Sequence, residues 1–327
     1  MRTNRGSLRW STVWPLAACA FVCSAVCAQT YPTKPVRLIV AAAPGGGSDF
    51  VARLLAQQLS PALGQPVVID NRAGAGGNIA AELTAKAPPD GYTLIVVANS
   101  HASSVSLYRK LSYDPVKDFA PITQLTANFF FLTVHPSSPA KTVKEFVAFA
   151  KSKKGELTYA SAGSGQGAHL GMELFKMLAG FDAVHVPFSG IGPATTALLG
   201  GQVNVALLTA PSTVPLMKVG KLRVLGVTGP KRLALLPEVP TVAESGYPGY
   251  EVNNWQGLLA PAGTPKEIVA KIYREIAKGL KAPDVVERFA GVGTEPVGSP
   301  PQEFAAFLQA EIAKWAKVIK QSGARAD

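Results

Sequence analysis

Three times along this chain an apolar run meets a glycine-rich turn and then a stretch with helical spacing. In the first unit, residues 36–42 lead into Pro44-Gly45-Gly46-Gly47-Ser48-Asp49, followed by Phe50, Val51, Leu54, Leu55, Leu59 and Leu63. In the second, Val67-Val68-Ile69 precedes Gly74-Ala75-Gly76-Gly77-Asn78 and a helical segment at 79–87. In the third, residues 157–160 precede Ser161-Ala162-Gly163-Ser164-Gly165-Gln166-Gly167 and a helix over 169–179. Apolar runs bounded by turns read as buried strands, and recurrence at three and four residues reads as an amphipathic helix. Strands alternating with helices predict parallel sheet covered by helices, so the fold class is α/β.

The turns themselves carry chemical information. Glycine reaches φ > 0 without strain and leaves backbone amides uncovered. A helix that starts there offers free N–H groups and the positive end of its dipole, which is an anion cradle. Ser48 or Asp49 is a candidate N-cap for the first helix. A tight strand–helix turn that binds nothing has the same local pattern. The first loop lacks the spacing of the named phosphate loops, so it leaves both readings open.

The amino terminus reads as an export leader. Arg2, Arg5 and Arg9 precede an apolar stretch at 10–26 and the small-residue site Val26-Cys27-Ala28. A charged segment, a short apolar core and a cleavage site mark a secretory signal over residues 1–28. Leu16-Ala17-Ala18-Cys19 offers a lipobox alternative, with lipidation at Cys19, but that would strand apolar residues 20–26 on the mature protein. All three cysteines (Cys19, Cys23, Cys27) lie in the leader, so no disulfide framework, thiolate metal site or cysteine nucleophile is expected beyond it. Residues 29–327 suffice for one large domain or two ordinary lobes. No segment after the leader is long and apolar enough to predict a membrane span. The net charge of +11 includes three leader arginines. Export and the lack of basic clusters interleaved with aromatics argue against nucleic acid. The excess positive charge suits small anions.

Beyond the first two units, Tyr92 to Val97 predicts a strand, and Asn99-Ser100-His101-Ala102-Ser103-Ser104 a polar loop at its carboxyl end. Further strands are expected at 129–134, 184–186, 203–208 and 222–227, with a helix at 142–150. Two amphipathic helices close the chain, one facing inward through Ile268, Val269, Ile272 and Ile276, the other through Phe304, Phe307, Leu308, Ile312, Trp315 and Ile319. Two α/β lobes fit this order. Ligands of open α/β sheets sit at the strands' carboxyl ends, where the glycine turns lie.

Catalytic patterns fail one by one. Ser164 has Ala162 and Gln166 where a nucleophile elbow needs glycines, and Ser138-Pro139-Ala140-Lys141 has no Lys-Thr-Gly partner. His101, His135, His169 and His185 form no zinc-binding spacing. His169, just after the third glycine turn, is either a capping or packing residue or a donor to a bound anion. No enzyme, metal or cofactor is expected.

Longer motifs then align in order. Pro44-Gly45-Gly46-Gly47-Ser48-Asp49 with Ala52-Arg53, Gly64-Gln65-Pro66-Val67-Val68, Asn71-Arg72, Pro89-Asp90-Gly91-Tyr92-Thr93-Leu94, Tyr113-Asp114-Pro115 and Asp118-Phe119-Ala120-Pro121 are followed by Tyr159-Ala160-Ser161, His185-Val186-Pro187, Gly200-Gly201-Gln202-Val203, Pro237-Glu238-Val239-Pro240-Thr241 and Ala260-Pro261-Ala262-Gly263-Thr264-Pro265. Together they span essentially all of residues 29–327. The pattern resembles the Bug-type (TctC-like) solute receptors, the periplasmic binding proteins of tripartite tricarboxylate transporters. The resemblance implies a two-lobed periplasmic-binding-protein fold (type II, Venus flytrap), with residues 29–129 plus 254–327 as lobe 1 and 130–253 as lobe 2. It implies a carboxylate held by backbone amides and water from both lobes. Carried over, Gly45, Gly46, Ser48 and Asp49 form one side; Ser161, Gly163, Ser164, Gly165 and His169 form the other. Asn99, Ser100 and His101 would line one rim, and Phe188, Ser189 and Gly190 the other. Asp49, ionised, is assigned to capping or to orienting water.

Three departures bear on the ligand. Phe188-Ser189 stands where the family commonly has tyrosine then lysine, Asn204 where it has aspartate, and Leu207-Leu208 where it has Phe-Asp. The missing acid at Leu208 removes a partner for a ligand ammonium, which points to a non-amino carboxylate with an apolar or aromatic body. The expected role is a monomeric periplasmic receptor delivering that ligand to membrane permease subunits. The alternatives are a flytrap sensor serving a signalling partner and a secreted hydrolase with scattered catalytic residues.

Overall fold

The computed structural model describes Met1 and residues 31–325. The chain divides into two units, and all that follows concerns the second, Tyr31–Asp327. The export leader, its Ala28 cleavage point and the alternative lipid site at Cys19 lie outside the described residues.

The strands are β1 (Val36–Val40), β2 (Val67–Asn71), β3 (Thr93–Ala98), β4 (Phe119–Asn128), β5 (Phe131–Val134), β6 (Thr158–Ser161), β7 (Val184–Pro187), β8 (Val205–Leu208), β9 (Arg223–Val227), β10 (Gln256–Pro261) and β11 (Thr294–Pro296). The helices are α1 (Gly47–Leu63), α2 (Asn78–Ala85), α3 (Asn99–Leu107), α4 (Val143–Ser152), α5 (Gly167–Ala179), α6 (Ile191–Leu199), α7 (Ala210–Lys218), α8 (Lys266–Gly279), α9 (Pro283–Gly291) and α10 (Pro301–Ser322). They form two α/β lobes. One holds a sheet of order β11-β4-β10-β3-β1-β2, the other a sheet of order β7-β6-β8-β5-β9.

The expected parallel pairing is found where strand and helix alternate, β1 with β2 and β3, and β6 with β7 and β8. The rest of each sheet is antiparallel: β10 against β3 and β4, β11 against β4, and β5 against β8 and β9. Both sheets are therefore mixed, because β10 and β5 each enter between strands that run the other way. The polar stretch 99–104, expected as a loop, is the start of α3. Its serines fold back on the helix, with Ser104 Oγ donating to the His101 carbonyl at 2.9 Å, so they need no water there.

The chain crosses between the sheets twice, at residues 128–130 and 252–255, and the crossings run side by side. Phe129 pairs with Asn253 in an antiparallel bridge, and the Asn254 N–H donates to the Asn128 carbonyl at 2.7 Å. Thr228 ties in the end of β9. Its Oγ1 accepts from the Phe130 N–H at 2.9 Å and donates to the Val252 carbonyl at 2.7 Å.

Helix α10 covers this junction. Glu311, 4 % exposed, accepts from the indole nitrogens of Trp255 (3.1 Å) and Trp315 (2.9 Å) and pairs with Lys314. A buried carboxylate is tolerable only when its lone pairs are so filled. Phe304 of α10 meets Trp255 edge-on at 5.9 Å and lies over Gly257 of β10. One buried core runs from Ile95 and Val97 through Trp255, Phe304 and Trp315 to Phe175 and Tyr159, so the two sheets share packing at the junction.

A Cβ at Gly257 would fall inside the Phe304 ring, which is fully buried. Overpacking of this kind costs about 1–3 kcal/mol. Gly257→Ala is expected to lower the unfolding free energy measured in urea melts by that amount, whereas Gly291→Ala, with open space at its Cβ, is expected to change it by less than about 1 kcal/mol.

Candidate functional site

Between the lobes lies a cleft of about 680 Å³. Its walls are the first turns of helices. Gly47, Ser48, Phe50 and Val51 come from α1, Gly167 and Ala168 from α5, Ile191 and Gly192 from α6, and Ala210, Pro211 and Ser212 from α7. The N-cap residues of these helices are Gly46, Gln166, Gly190 and Thr209, and none provides a side-chain cap. Among the described α-helices only α4, away from the cleft, has a side-chain cap, Thr142 Oγ1 accepting from the Glu145 N–H. The first N–H groups of a helix have no intrahelical acceptor, and each N-terminus carries about half a positive charge. Among the described residues lining the cleft none is charged. The site thus presents positive potential without a single cationic side chain.

The first glycine turn is held from behind. Asp49, 3 % exposed, accepts through Oδ2 from the Gly45 N–H and Arg53 Nε, both at 2.9 Å, and through Oδ1 from Asn71 Nδ2 at 3.0 Å. The hydrogen bond from Arg53 leads in holding its carboxyl below the usual range. Gly45, Gly46 and Ser48 line the cleft, while the Asp49 side chain fixes the loop that carries them.

The third glycine turn is divided by the fold. Ala162 and residues 166–168 line the cleft. Gly165 packs against Leu107 of α3, and its carbonyl accepts from Ser103 Oγ at 3.2 Å. Ser164 is exposed. Ser161, 1 % exposed, has its Oγ 2.6 Å from His185 Nε2 and accepts from the Gly163 N–H at 3.2 Å. His169, 6 % exposed, accepts the Gly165 N–H at Nδ1 (2.9 Å) and stacks on His185 with ring centres 3.9 Å apart. This network props up the turn that leads into α5. The carboxylate beside it, Glu173, binds the Tyr159 hydroxyl at 2.5 Å and Lys176 at 2.8 Å rather than either histidine. The Ser161–His185 pair therefore has no acid orienting it as a nucleophile would require.

The remaining sequence-derived residues spread out. Asn99 is buried, its Nδ2 donating to the Asn253 carbonyl at 2.5 Å. Ser100 and His101 line a separate small niche with Gly77 and Tyr113, and the His101 Nε2 meets the Pro115 carbonyl at 3.0 Å. Phe188 packs on the core under α6, Gly190 is the α6 N-cap, and Leu208 is fully buried at the end of β8 beside Thr209, which does line the cleft. Asn204 lies at the other end of β8, where its Oδ1 accepts from the Thr158 N–H at 2.8 Å. Sequence reasoning missed residues 209–212, although a threonine and a nearby proline after an apolar run are helix-start signals. It also missed Asn128, Phe129, Phe130, Asn254, Gln256 and residues 292–294, which carry no local signal because only the crossings and the β11 turn bring them here.

The profile of the "Tripartite tricarboxylate transporter family receptor" matches residues 51–324. BugT of Bordetella pertussis is 37% identical over 310 residues, covering 94% of this chain and 95% of that protein. Among solved structures, an R. palustris protein with adipate is 39% identical at a TM-score of 0.81, covering 90% of this chain and 99% of that one. MatC from Rhodopseudomonas palustris with bound malate is 38% identical at a TM-score of 0.77, covering 88% and 100%. The chain belongs to the tripartite tricarboxylate transporter receptor family. Such receptors bind solutes, and the cleft between the lobes is where this family member has room for one.

Burial pushes both His169 and His185 down to about 4, and His101 likewise. All three are then neutral in the folded chain, whereas an unfolded histidine gains its proton near pH 6.5. The unfolded state binds more protons in between, so stability is expected to fall as pH drops from about 6.5 to about 4 and to be level above. His169→Asn keeps an acceptor for the Gly165 N–H and removes one titrating group. Urea melts across that window are expected to show a shallower loss for this variant than for wild type, with His101 and His185 sustaining the remainder.

Proposed function

We propose that the cleft captures a small carboxylate on the free N–H groups of α1, α5, α6 and α7. The observation that carries this reading is four uncapped helix N-termini around one cleft whose lining has no charged side chain. A carboxylate accepts charge-assisted bonds from such amides and needs no arginine. Phe50, Phe129, Phe130, Ile191 and Val292 give the cleft apolar walls. With no acidic side chain there, a ligand ammonium would be desolvated without a counter-charge, which favours a non-amino carboxylate with an apolar or aromatic body.

Because the cleft draws residues from both sheets, a bound ligand favours the closed arrangement of the lobes. In this reading residues 29–129 plus 254–327 move as one lobe and 130–253 as the other, pivoting on the two crossings. The leader exports the chain to the periplasm, and the loaded receptor, a monomer, hands its ligand to the permease subunits of a tripartite transporter. The family membership and the carboxylates bound in the two R. palustris structures support this.

Gly47 lies in the first turn of α1 with open space where a Cβ would be. An aspartate there adds a rival negative charge at the cleft. Acidic residues in a first turn stabilise helices by about 0.3–1 kcal/mol, so Gly47→Asp is expected to melt at or slightly above wild type without ligand. In a carboxylate thermal-shift screen, ligand at about 100 times its Kd adds roughly 2.7 kcal/mol to wild type. The variant is expected to show no shift. An undiminished shift in Gly47→Asp would overturn the site assignment.

A further inference from the structure

Four buried side-chain polar atoms among the described residues have no hydrogen-bond partner, and three of them are asparagine oxygens at the interlobe crossings. They are Oδ1 of Asn99, Asn128 and Asn253. Asn128 lines the cleft. Asn99 (2 % exposed) and Asn253 (7 % exposed) each adjoin a cleft residue, Ala98 and Asn254. The three are joined through the backbone. Asn99 Nδ2 donates to the Asn253 carbonyl at 2.5 Å, Phe129 bridges to Asn253, and the Asn254 N–H donates to the Asn128 carbonyl at 2.7 Å. Asn99 also sits against Gly167, the first residue of α5, its Cγ 3.6 Å from where a Cβ of that glycine would lie.

Folded proteins leave few buried acceptors unpaired, because each one forfeits its bond to water. Three at one place, beside the cleft and next to an uncapped helix, call for a donor from outside the chain. An ammonium would be such a donor, but no carboxylate lines the cleft to balance it. A further carboxylate would face oxygens instead of N–H groups. A hydroxyl donates, is uncharged, and loses least on leaving water.

From this we infer that the asparagines at the crossings read a hydroxyl on the ligand, making the cleft selective for hydroxylated carboxylates, with Asn128 as the specificity-determining residue. The helix N-termini hold the charged end and the crossings test the body. This rests on the carboxylate reading above.

The test compares phenylacetate with mandelate, 4-hydroxyphenylacetate and phenylglycine by calorimetry. They share one body and differ by hydrogen, hydroxyl or ammonium. At least one hydroxylated member is expected to bind wild type ten-fold or more tighter than phenylacetate, and phenylglycine more weakly than either. Asn128→Leu is expected to remove the hydroxyl preference, bringing the affinity ratio of hydroxylated acid to phenylacetate close to one. Asn128→Asp, closer in shape and a guard against misfolding of the leucine variant, is expected to raise phenylglycine affinity relative to phenylacetate. Equal binding of hydroxylated and plain acids, or a hydroxyl preference that survives in Asn128→Leu, overturns the inference and leaves the carboxylate reading standing. If none of the four acids, nor adipate or malate, shifts the wild-type melt, the carboxylate reading fails and this inference with it.

Discussion

Every helix leaves its first N–H groups without an intrahelical acceptor, and here four helices leave them around the same gap. Among the described α-helices only α4 has a side-chain cap, from Thr142, so what sets the cleft apart is that four uncapped starts meet there. At the cleft, glycine stands at the N-cap of α1 and α6, and the glutamine and threonine before α5 and α7 make no cap bond. A convergence of unmet donors with no charged lining is a built-in demand for an anion. The proposed capture of a carboxylate and the proposed coupling of binding to lobe movement both draw on it.

The arrangement depends on the crossings to aim the helices at one another. Two adjacent segments, at 128–130 and 252–255, are bonded to each other and to Thr228. Glu311 between two indoles fixes α10 over them, and a core shared by both sheets fills the remaining space. These paired and packed segments are the pivot in the closure proposed above. Buried acceptors of Asn128 and Asn253 lie there as well, so the proposed pivot and the proposed hydroxyl reader are neighbours.

Much of the architecture was legible in the order of residues. In β1 Val36, Leu38, Ile39 and Val40 are buried because parallel strands are covered on both faces, and glycine turns mark where such strands give way to helices. The same reasoning misread residues 99–104, since serine and asparagine favour loops until their hydroxyls find carbonyls one turn back. It also centred attention on Gly163, Ser164 and Gly165, whereas the fold presses Gly165 against Leu107 and turns the flanking Ala162 and Gln166 toward the cleft. Asn204 shows the same limit. It is one residue type away from the family pattern, yet it caps Thr158 at the far end of its strand.

Local chemistry alone determined that this chain builds strand–glycine–helix units, that its leader is an export signal by pattern, and that its turns suit an anion. Those properties depend on neighbours a few residues away, where periodicity and backbone freedom act. Which turns face one another, which glycine is buried, and which amide oxygens lie unpaired beside the cleft were decided only in three dimensions. Asn128 stands more than a hundred positions from Asn253 and Gln256, and they acquire a common environment only when the two crossings pair.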